Sequence, residues 1–324
     1  MKKQIINYYR EVDIVKGITI LLVILGHSFC TYPINIDDAL PLLARIVRSF
    51  QMPLFFVASG FLFSTKGGFE SLIKKKISRL IIPYFAFGFL SIVLRYIFSA
   101  FTNGGMITLS DSILKLINGN YYWFLYTLLF VMIIAQLLNR KKLLALACCI
   151  CIGLCLLTDL RSVELMTFGK IIYYFPFFCL GIMTKQIYSP ILTFYEQREY
   201  IVSICACVGF ALSFFQCLGV IGNLIDFYIQ PLLGIMLVWI ISIRLTKTGR
   251  WLSDLFTYFG HFSLQFYLNH LLIMLPLYYM ASMLSCFHPL ILLFIIFILS
   301  VVISILMLKI EQRMKITRFL CALK

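Results

Sequence analysis

Charged residues are scarce in this sequence. They make up 13% of its 324 residues, and only 13 side chains are Asp or Glu. Soluble domains carry about a quarter charged residues, so the composition excludes an ordinary soluble protein. Hydrophobic residues make up 62% of the chain, which indicates instead an integral membrane protein built from many apolar helices.

The sequence also lacks an internal repeat and a low-complexity tail. Inverted repeats are typical of many secondary transporters, so their absence argues against that class. Eleven cysteines are present, and nearly all lie in apolar stretches. The spacing of one group allows a metal site as an alternative, but we interpret these cysteines as small apolar helix residues and predict neither disulfides nor a bound metal. That group is Cys148, Cys149, Cys151 and Cys155.

Hydropathy and charge breaks divide the chain into ten apolar segments, each predicted to be a transmembrane helix. The predicted fold is therefore all-α: a polytopic integral membrane bundle of about ten transmembrane helices, formed by residues 1–324 as a single domain. The second and sixth segments are short and can recruit flanking residues such as 42–50. Interfacial helices are predicted at 111–117 and 162–170. The ten predicted spans are 14–30, 52–64, 81–101, 121–138, 143–158, 171–184, 201–220, 227–243, 261–280 and 289–309.

Basic residues outnumber acidic ones, 28 to 13, and give the chain a net charge of +15. In a soluble protein this charge would suggest nucleic acid, but here most basic residues lie in alternate connections between apolar segments. Cytoplasmic connections of membrane proteins are enriched in Lys and Arg. We therefore predict cytoplasmic termini, a multi-pass location in the cell (inner) membrane with the lipid bilayer as partner, and no nucleic-acid binding.

The first apolar segment carries three ionisable residues on one helical face: Asp13, Lys16 and His27. Lys16 and His27 are separated by about 1100° of helical rotation and ~16 Å of rise. An ionisable group near the middle of a membrane helix is costly and usually faces a functional cavity. We therefore predict that His27 is the catalytic centre. The alternative is the end of a short signal anchor, although no cleavage site with small residues follows.

A second group of residues begins at Pro53, which suits the first turn of the predicted span 52–64. Within that span, Ser59 and the glycine after it permit close approach of a neighbouring helix or a ligand. Lys76 and Arg79 precede the next span at a spacing that lets both reach one site on the cytoplasmic face. Such a pair is well suited to phosphate, whereas the alternative is that it only marks topology by positive charge.

A third group lies in the ninth span, where Ser263, Tyr267 and His270 share a helical face. Polar stripes on apolar helices usually face a cavity, although a structural hydrogen bond of His270 between helices is the alternative. The aromatic run that contains Trp123 allows either a substrate contact or an interfacial belt. Arg95 is expected to be buried toward the outer third of the membrane and to need a partner.

These segments together resemble the acyltransferase 3 family and, within it, the fucose 4-O-acetylase-like membrane acetyltransferases. The resemblance covers nearly the whole chain, and its most specific part is a basic residue followed after ten residues by histidine. Gln51 departs from the family, because relatives often have histidine there and an amide cannot carry a proton near neutral pH. The matching segments are Arg10-x-x-Asp13-x-x-Lys16-Gly17, Gly26-His27, 52–61, Lys76-x-x-Arg79, Pro83-Tyr84, 123–125 and 263–270.

The resemblance implies an enzyme that transfers an acyl group, typically acetyl, from cytoplasmic acetyl-CoA. It implies that the acceptor is a sugar hydroxyl of a cell-surface polysaccharide or of a lipid-linked glycan precursor, and that no metal takes part. With the residue patterns, it assigns His27 as base or acyl carrier. The remaining assignments are Lys16 and Asp13 as catalytic, Arg10, Lys76 and Arg79 as donor-binding, and Ser59, Trp123, Ser263, Tyr267 and His270 as substrate-binding.

For this chemistry, Lys16 and His27 are expected to face one shared, water-reachable passage through the bundle. A competing function is a proton-coupled transporter or flippase of a polar or lipid-linked solute, with His27 and His270 as proton relays. A non-catalytic scaffold or receptor is a third alternative, but it would not need charged groups along the first helix. Nothing in the sequence specifies the oligomeric state.

Overall fold

The computed structural model describes residues 9–29, 36–64, 68–99, 108–138, 141–158, 167–215, 219–283 and 287–322. Almost all of these residues are helical and none is in a β-strand, which confirms the all-α prediction. Two π-helical turns, Ile77–Ile81 and Ile225–Ile229, directly precede the helices that begin at Ile82 and Gln230. The helices are α1 (Arg10–Ser28), α2 (Ile36–Ala39), α3 (Pro41–Phe61), α4 (Gly68–Lys76), α5 (Ile82–Ser99), α6 (Leu109–Ile117), α7 (Trp123–Leu137), α8 (Lys141–Leu157), α9 (Phe168–Gln186), α10 (Tyr188–Gln197), α11 (Glu199–Leu212), α12 (Gly219–Leu224), α13 (Gln230–Thr248), α14 (Arg250–His261), α15 (Ser263–Met283), α16 (Pro289–Arg313) and α17 (Lys315–Leu320).

Each of the ten predicted spans overlaps a helix among the described residues, although the seventh, 201–220, extends beyond the end of α11 at Leu212. Four helical stretches within the described residues are long and apolar enough to cross a membrane, which supports a membrane protein. The number of crossings and the side on which the termini lie stay predictions. The four stretches are Pro41–Phe61, Ser78–Ile97, Ile221–Thr248 and Pro289–Arg313.

The two predicted interfacial segments differ in outcome. Helix α6 covers the predicted segment 111–117, and the hydroxyl of Thr108 caps it by accepting from the Asp111 amide. In the other segment, residues 162–166 lie outside the described residues, and α9 begins at Phe168.

Helix α3 is longer at its start than predicted. It begins at Pro41 and takes in the flanking residues 42–50, as the short second span required. The prediction that Pro53 opens this helix was wrong, because Pro53 lies inside α3 and Pro41 occupies the first turn instead. A proline within a helix removes one backbone hydrogen bond, so the helix tolerates this loss next to the site described below.

Helix α14 was not predicted. It packs along α1, and this contact is more extensive than the contact between most other pairs of helices. A Cβ atom on Gly17 of α1 would lie 1.9 Å from the carbonyl oxygen of Phe256, and one on Gly260 of α14 would lie 1.8 Å from that of Asp13. Such distances are far below van der Waals contact, so the two backbones touch at the level of Asp13. The close approach predicted beside Ser59 is also present, since a Cβ on Gly60 would lie 2.0 Å from the Phe178 oxygen.

Helix α1 occupies the middle of the bundle. It contacts α3, α13, α14, α15 and α16, and its apolar residues Val15, Ile20, Val23 and Ile24 have no exposed surface. The helix that carries the predicted catalytic residues is therefore enclosed on most of its circumference by other helices.

Candidate active site

A large cavity opens beside the start of α1; we call it the Lys16 cavity. Its volume is about 1020 Å³, at the upper end of the range for ligand sites. The ammonium of Lys16 lies 2.7 Å from Oδ1 of Asp13, as expected from their helical spacing. Arg79 and Ser263, also predicted as site residues, line the same cavity. The full lining is Lys16, Ser78, Arg79, His261, Phe262, Ser263, Leu264, Gln265, Gln312, Arg318, Phe319 and Ala322.

The predicted donor-binding residues do not all lie in this cavity. Arg79 lines it directly, and Lys76 lies one turn away at the end of α4. Burial, together with the nearby charge of Arg79, lowers the pKa of Lys76 to about 8. Arg10 does not line the cavity, because its guanidinium pairs with the carboxylate of Asp254 on α14. The structure thus favours a structural role for Arg10 over phosphate binding.

A second, smaller cavity of about 180 Å³ lies beside the other end of α1; we call it the His27 cavity. His27 is partly exposed in it, while His270 is fully buried behind, with the two ring centroids 5.2 Å apart. Nδ1 of His270 donates to the carbonyl oxygen of Phe266 at 3.1 Å. In a neutral ring this leaves Nε2 as an acceptor, and among the described residues it has no hydrogen-bond partner. The lining is His27, Ser91, Leu94, Arg95, Asn120, Tyr121, Tyr122, Trp123, Tyr267, Leu271, Leu272 and Leu275.

Aromatic residues form one wall of the His27 cavity. Trp123 stacks on Tyr174 with centroids 5.3 Å apart, and the ammonium of Lys170 lies 5.0 Å from the centroid of the indole ring. Tyr122 adopts a left-handed backbone conformation with φ of 39°, which is costly for a bulky residue. Its hydroxyl donates to the carbonyl oxygen of Leu268 at 3.0 Å. The aromatic run therefore faces the cavity rather than serving only as an interfacial belt.

The backbone around His27 is held by residues that the sequence analysis did not assign. Arg48 donates from Nη2 to the carbonyl oxygens of Phe29 (2.8 Å) and Gly26 (3.2 Å), which lie at the end of α1. The same guanidinium pairs with Asp37 at 2.5 Å. The hydroxyl of Tyr278 donates to the carbonyl oxygen of His27 itself. Two arginines, Arg45 and Arg48, lie within the largely apolar helix α3, and this is the sequence signal that could have identified the cap.

Gln51 packs against Gly26, the residue before His27. Its amide occupies the space beside Gly26, where a Cβ atom would be only 2.5 Å from Oε1. Gln51 is buried, and its Oε1 has no hydrogen-bond partner among the described residues. The glutamine at the position where the family resemblance leads one to expect histidine therefore lies against Gly26, the residue before His27.

The expectation of one shared passage was wrong for the structure as described. Lys16 lines one cavity and His27 the other, and no residue in the described part of the chain lines both. Ile20 and Val23 lie between them on the same helical stripe and are fully buried. On α15 the separation is shorter, since Ser263 and Tyr267 line different cavities one helical turn, about 6 Å, apart.

The remaining residues singled out in the sequence do not all line the same cavity. Tyr267, Trp123 and His270 meet at the His27 cavity, whereas Ser59 lines neither cavity. Arg95 is exposed on the surface of the protein, lines the His27 cavity and lies over the ring of Tyr121 at 5.6 Å, while its depth in the membrane stays a prediction. Within the described ranges, no three His, Cys, Asp or Glu side chains are grouped in a way that could hold a metal ion.

These features describe a membrane protein with an enclosed histidine site. The family model for the acyltransferase 3 family, described as an acyltransferase domain, matches residues 9–309, so the chain belongs to this family and is a membrane acyltransferase. Comparisons with curated proteins and with solved structures give no match. The family-level resemblance is thereby confirmed, and the matched segment contains both histidines and every other predicted site residue.

Proposed function

We propose that the protein transfers an acetyl or other short acyl group from cytoplasmic acyl-CoA to a sugar hydroxyl of a cell-surface polysaccharide or lipid-linked glycan precursor. We also propose that the protein belongs to the fucose 4-O-acetylase-like branch of the family and that it lies in the inner membrane of a bacterium. The observation that supports it most is the pairing of His27 with His270 at an aromatic-lined cavity. Aromatic faces and hydroxyl groups beside a potential base are suited to a sugar ring with a reacting hydroxyl.

His27 is the proposed base. When the sugar oxygen attacks the thioester carbonyl, a C–O bond forms, the C–S bond breaks, and the hydroxyl proton passes to His27 and then to the departing thiolate. We propose that Nε2 of His270, which has no hydrogen-bond partner among the described residues, accepts a hydrogen bond from His27 during the reaction and so orients its ring. In the second route, a His27 nitrogen attacks the thioester, so that a C–N bond forms, the C–S bond breaks and the imidazole proton passes to the departing thiolate. The sugar oxygen then attacks the acyl group, so that a C–O bond forms, the C–N bond breaks and the hydroxyl proton returns to the imidazole.

The Lys16 cavity is the proposed donor site. Its lining includes Lys16, Arg79 and Arg318, and no Asp or Glu side chain among the residues that the structure describes. Cations with several N–H donors bind phosphate well, and coenzyme A carries phosphates at its nucleotide end. Asp13 orients the ammonium of Lys16 through their ion pair.

Because the two cavities are separate, the acyl group must cross the barrier between them during the proposed reaction. Donor and acceptor sites are about 16 Å apart along α1, and Ile20 and Val23 close the direct route. We propose that the side chains at this level move apart to admit the acyl-pantetheine arm. Tyr267, one turn from the donor cavity on α15, lies at the thinnest part of this barrier.

The proposed function is tested by incubating membranes that contain the protein with acetyl-CoA labelled in the acetyl group. We expect label to appear in surface glycan as an ester that mild alkali releases, and to be absent from membranes of a deletion strain. Label that stays in acetyl-CoA, with sugar crossing the membrane unmodified, would instead support the transporter alternative.

Donor affinity is expected to depend on pH through Lys76. With a pKa of about 8, Lys76 is protonated below pH 8 and neutral above it, so its attraction for donor phosphates is lost as the pH rises through 8. The KM for acetyl-CoA should therefore rise between about pH 7.5 and 9. In Lys76→Arg the charge persists in this range, because guanidinium stays protonated. The check is KM measured against pH for both proteins; identical profiles would count against donor binding by Lys76.

A further inference from the structure

The His27 cavity is small for a ligand site. Its volume of about 180 Å³ lies below the roughly 300–1,000 Å³ that is usual for pockets of small molecules. It therefore suits one sugar ring, whereas several linked rings of a polysaccharide would exceed it. The rest of a larger acceptor must lie outside, against the surfaces that border the cavity.

One border of the cavity is apolar. It consists of four leucines from α5 and α15, three of them only half-buried. Helix α5 belongs to the stretch Ser78–Ile97, which is long and apolar enough to cross a membrane, and it exposes Phe89 and Val93 on its outer side. A lipid tail is therefore a chemically suitable neighbour for this border. The four leucines are Leu94, Leu271, Leu272 and Leu275.

Arg95 supplies positive charge at this border, and no other Lys or Arg of the described residues lines the cavity. Its guanidinium carbon lies 5.6 Å from the centroid of the Tyr121 ring, which covers one face of the guanidinium group and leaves the N–H groups at its edge available. Among the described residues, no carboxylate pairs with Arg95. Of the 13 acidic residues, only Asp159 and Glu164 lie outside the described ranges. An anionic group of a ligand is therefore a suitable partner for Arg95.

The position of Arg95 along α5 indicates where that anion lies. Arg95 is two residues before the end of the apolar stretch Ser78–Ile97. Long basic side chains near the end of a membrane helix reach the interface, where lipid phosphates are found. The leucine border, Arg95 and the small cavity thus match the three parts of a lipid-linked sugar, which are its tail, its phosphate and its sugar ring.

We propose that the acceptor is a sugar joined to a membrane lipid through phosphate, rather than a finished polysaccharide, and that Arg95 binds this phosphate. The inference rests on the proposed function, because it takes acyl transfer to a sugar hydroxyl at His27 as given. Arg95 holds and orients the acceptor through charge-assisted hydrogen bonds. No bond is made or broken at Arg95, so the chemical step is the one described above.

The test compares two acceptors from one source: the lipid-linked sugars in a chloroform–methanol extract of the deletion strain, and the free glycan that mild acid releases from them. With saturating labelled acetyl-CoA, the wild-type KM should be at least roughly 10-fold lower for the lipid-linked acceptor. In Arg95→Gln this KM should rise roughly 10-fold, as for loss of one charge-assisted interaction, and the KM for free glycan should stay unchanged. Arg95→Lys keeps the charge and should recover part of the affinity.

The matched control is Lys115→Gln. Lys115 is exposed on α6 and does not line the cavity, so this variant removes one positive charge from the surface without touching the site. We expect wild-type KM values for both acceptors. Because Arg95 is also exposed, Arg95→Gln should keep the wild-type melting temperature in detergent.

Three results would overturn the inference: wild-type transfer to free glycan that equals or exceeds transfer to the lipid-linked acceptor, an unchanged KM for the lipid-linked acceptor in Arg95→Gln, or equal rises for both acceptors. The headgroup of a membrane phospholipid is another source of phosphate. The assays are therefore run in an uncharged detergent with and without added phosphatidylglycerol. A defect of Arg95→Gln that occurs only with phosphatidylglycerol would assign Arg95 to the headgroup and also overturn the inference.

Failure of the proposed function is visible separately, as an absence of wild-type transfer to either acceptor. The fluorescence of Trp123 then reports on the cavity, and Trp123→Phe identifies its share of the signal. In the wild type and Lys115→Gln, farnesyl phosphate should change this fluorescence at a roughly 10-fold lower concentration than farnesol, which lacks the phosphate. In Arg95→Gln the two compounds should act alike. Any other pattern would overturn the assignment of a lipid phosphate to Arg95.

Discussion

Replacing His27 with alanine is expected to reduce acyl transfer by at least roughly 100-fold, because general base catalysis contributes about 10²- to 10⁴-fold and an acyl carrier is indispensable. The imidazole lines the aromatic cavity, and its backbone carbonyl is held by Tyr278. The substitution leaves these backbone contacts in place, so the protein should remain folded. The measurement is transfer of labelled acetyl in membranes with matched amounts of protein.

The control for His27→Ala is His288→Ala. His288 is exposed before α16, where its ring caps the helix by accepting from the Leu290 amide, and it lines neither cavity. We expect it to retain nearly full activity. Full activity of the His27→Ala protein would remove His27 from the mechanism and with it the proposed site of acyl transfer.

Adding one methyl group at Gly260 is expected to have the second large effect. The new Cβ in Gly260→Ala would lie 1.8 Å from the Asp13 carbonyl oxygen, so α1 and α14 must separate. Overpacking of this kind costs about 1–3 kcal/mol, and more where only backbone can move. The shift would also displace Asp13 and its partner Lys16. We expect lower thermal stability in detergent and a higher KM for acetyl-CoA.

The matched control is Gly153→Ala in α8, where the added Cβ meets nothing within 4 Å. Alanine is the better helix former by about 1 kcal/mol, so this variant should be as stable as the wild type or slightly more stable. If both alanine variants melt at the wild-type temperature, the helices α1 and α14 are not in backbone contact as described.

Local spacing predicted what depends on a single helix. The closeness of Asp13 and Lys16 followed from helical spacing, and the approximate positions of the ten apolar segments followed from hydropathy and charge breaks. Pairings between distant segments did not follow, because periodicity carries no information on which helices pack together. Arg10 meets Asp254 and His27 meets His270 only through the fold. The amphipathic helix α14 was missed because its start was interpreted only as a basic connection.

The shared passage was predicted from a helical wheel, which shows direction around a helix but not what fills the space beside it. Ile20 and Val23 were on the expected stripe, yet neighbouring helices cover them completely. Similarly, the wheel placed Ser263 with Tyr267 and His270, while the boundary between the cavities passes between Ser263 and Tyr267. Side-chain packing of several helices, rather than the pattern of one, decides where a cavity ends.

The buried stretch of α1 between Lys16 and His27 has a consequence for the cell. In a membrane protein with one polar pocket at each face, a continuous connection between the two pockets would let protons leak through and dissipate the proton gradient. With Ile20 and Val23 packed at zero exposure, no file of water connects the pockets at that level of α1. If the acyl group crosses only in a transient opening, as proposed above, protons and ions are excluded while the barrier is closed.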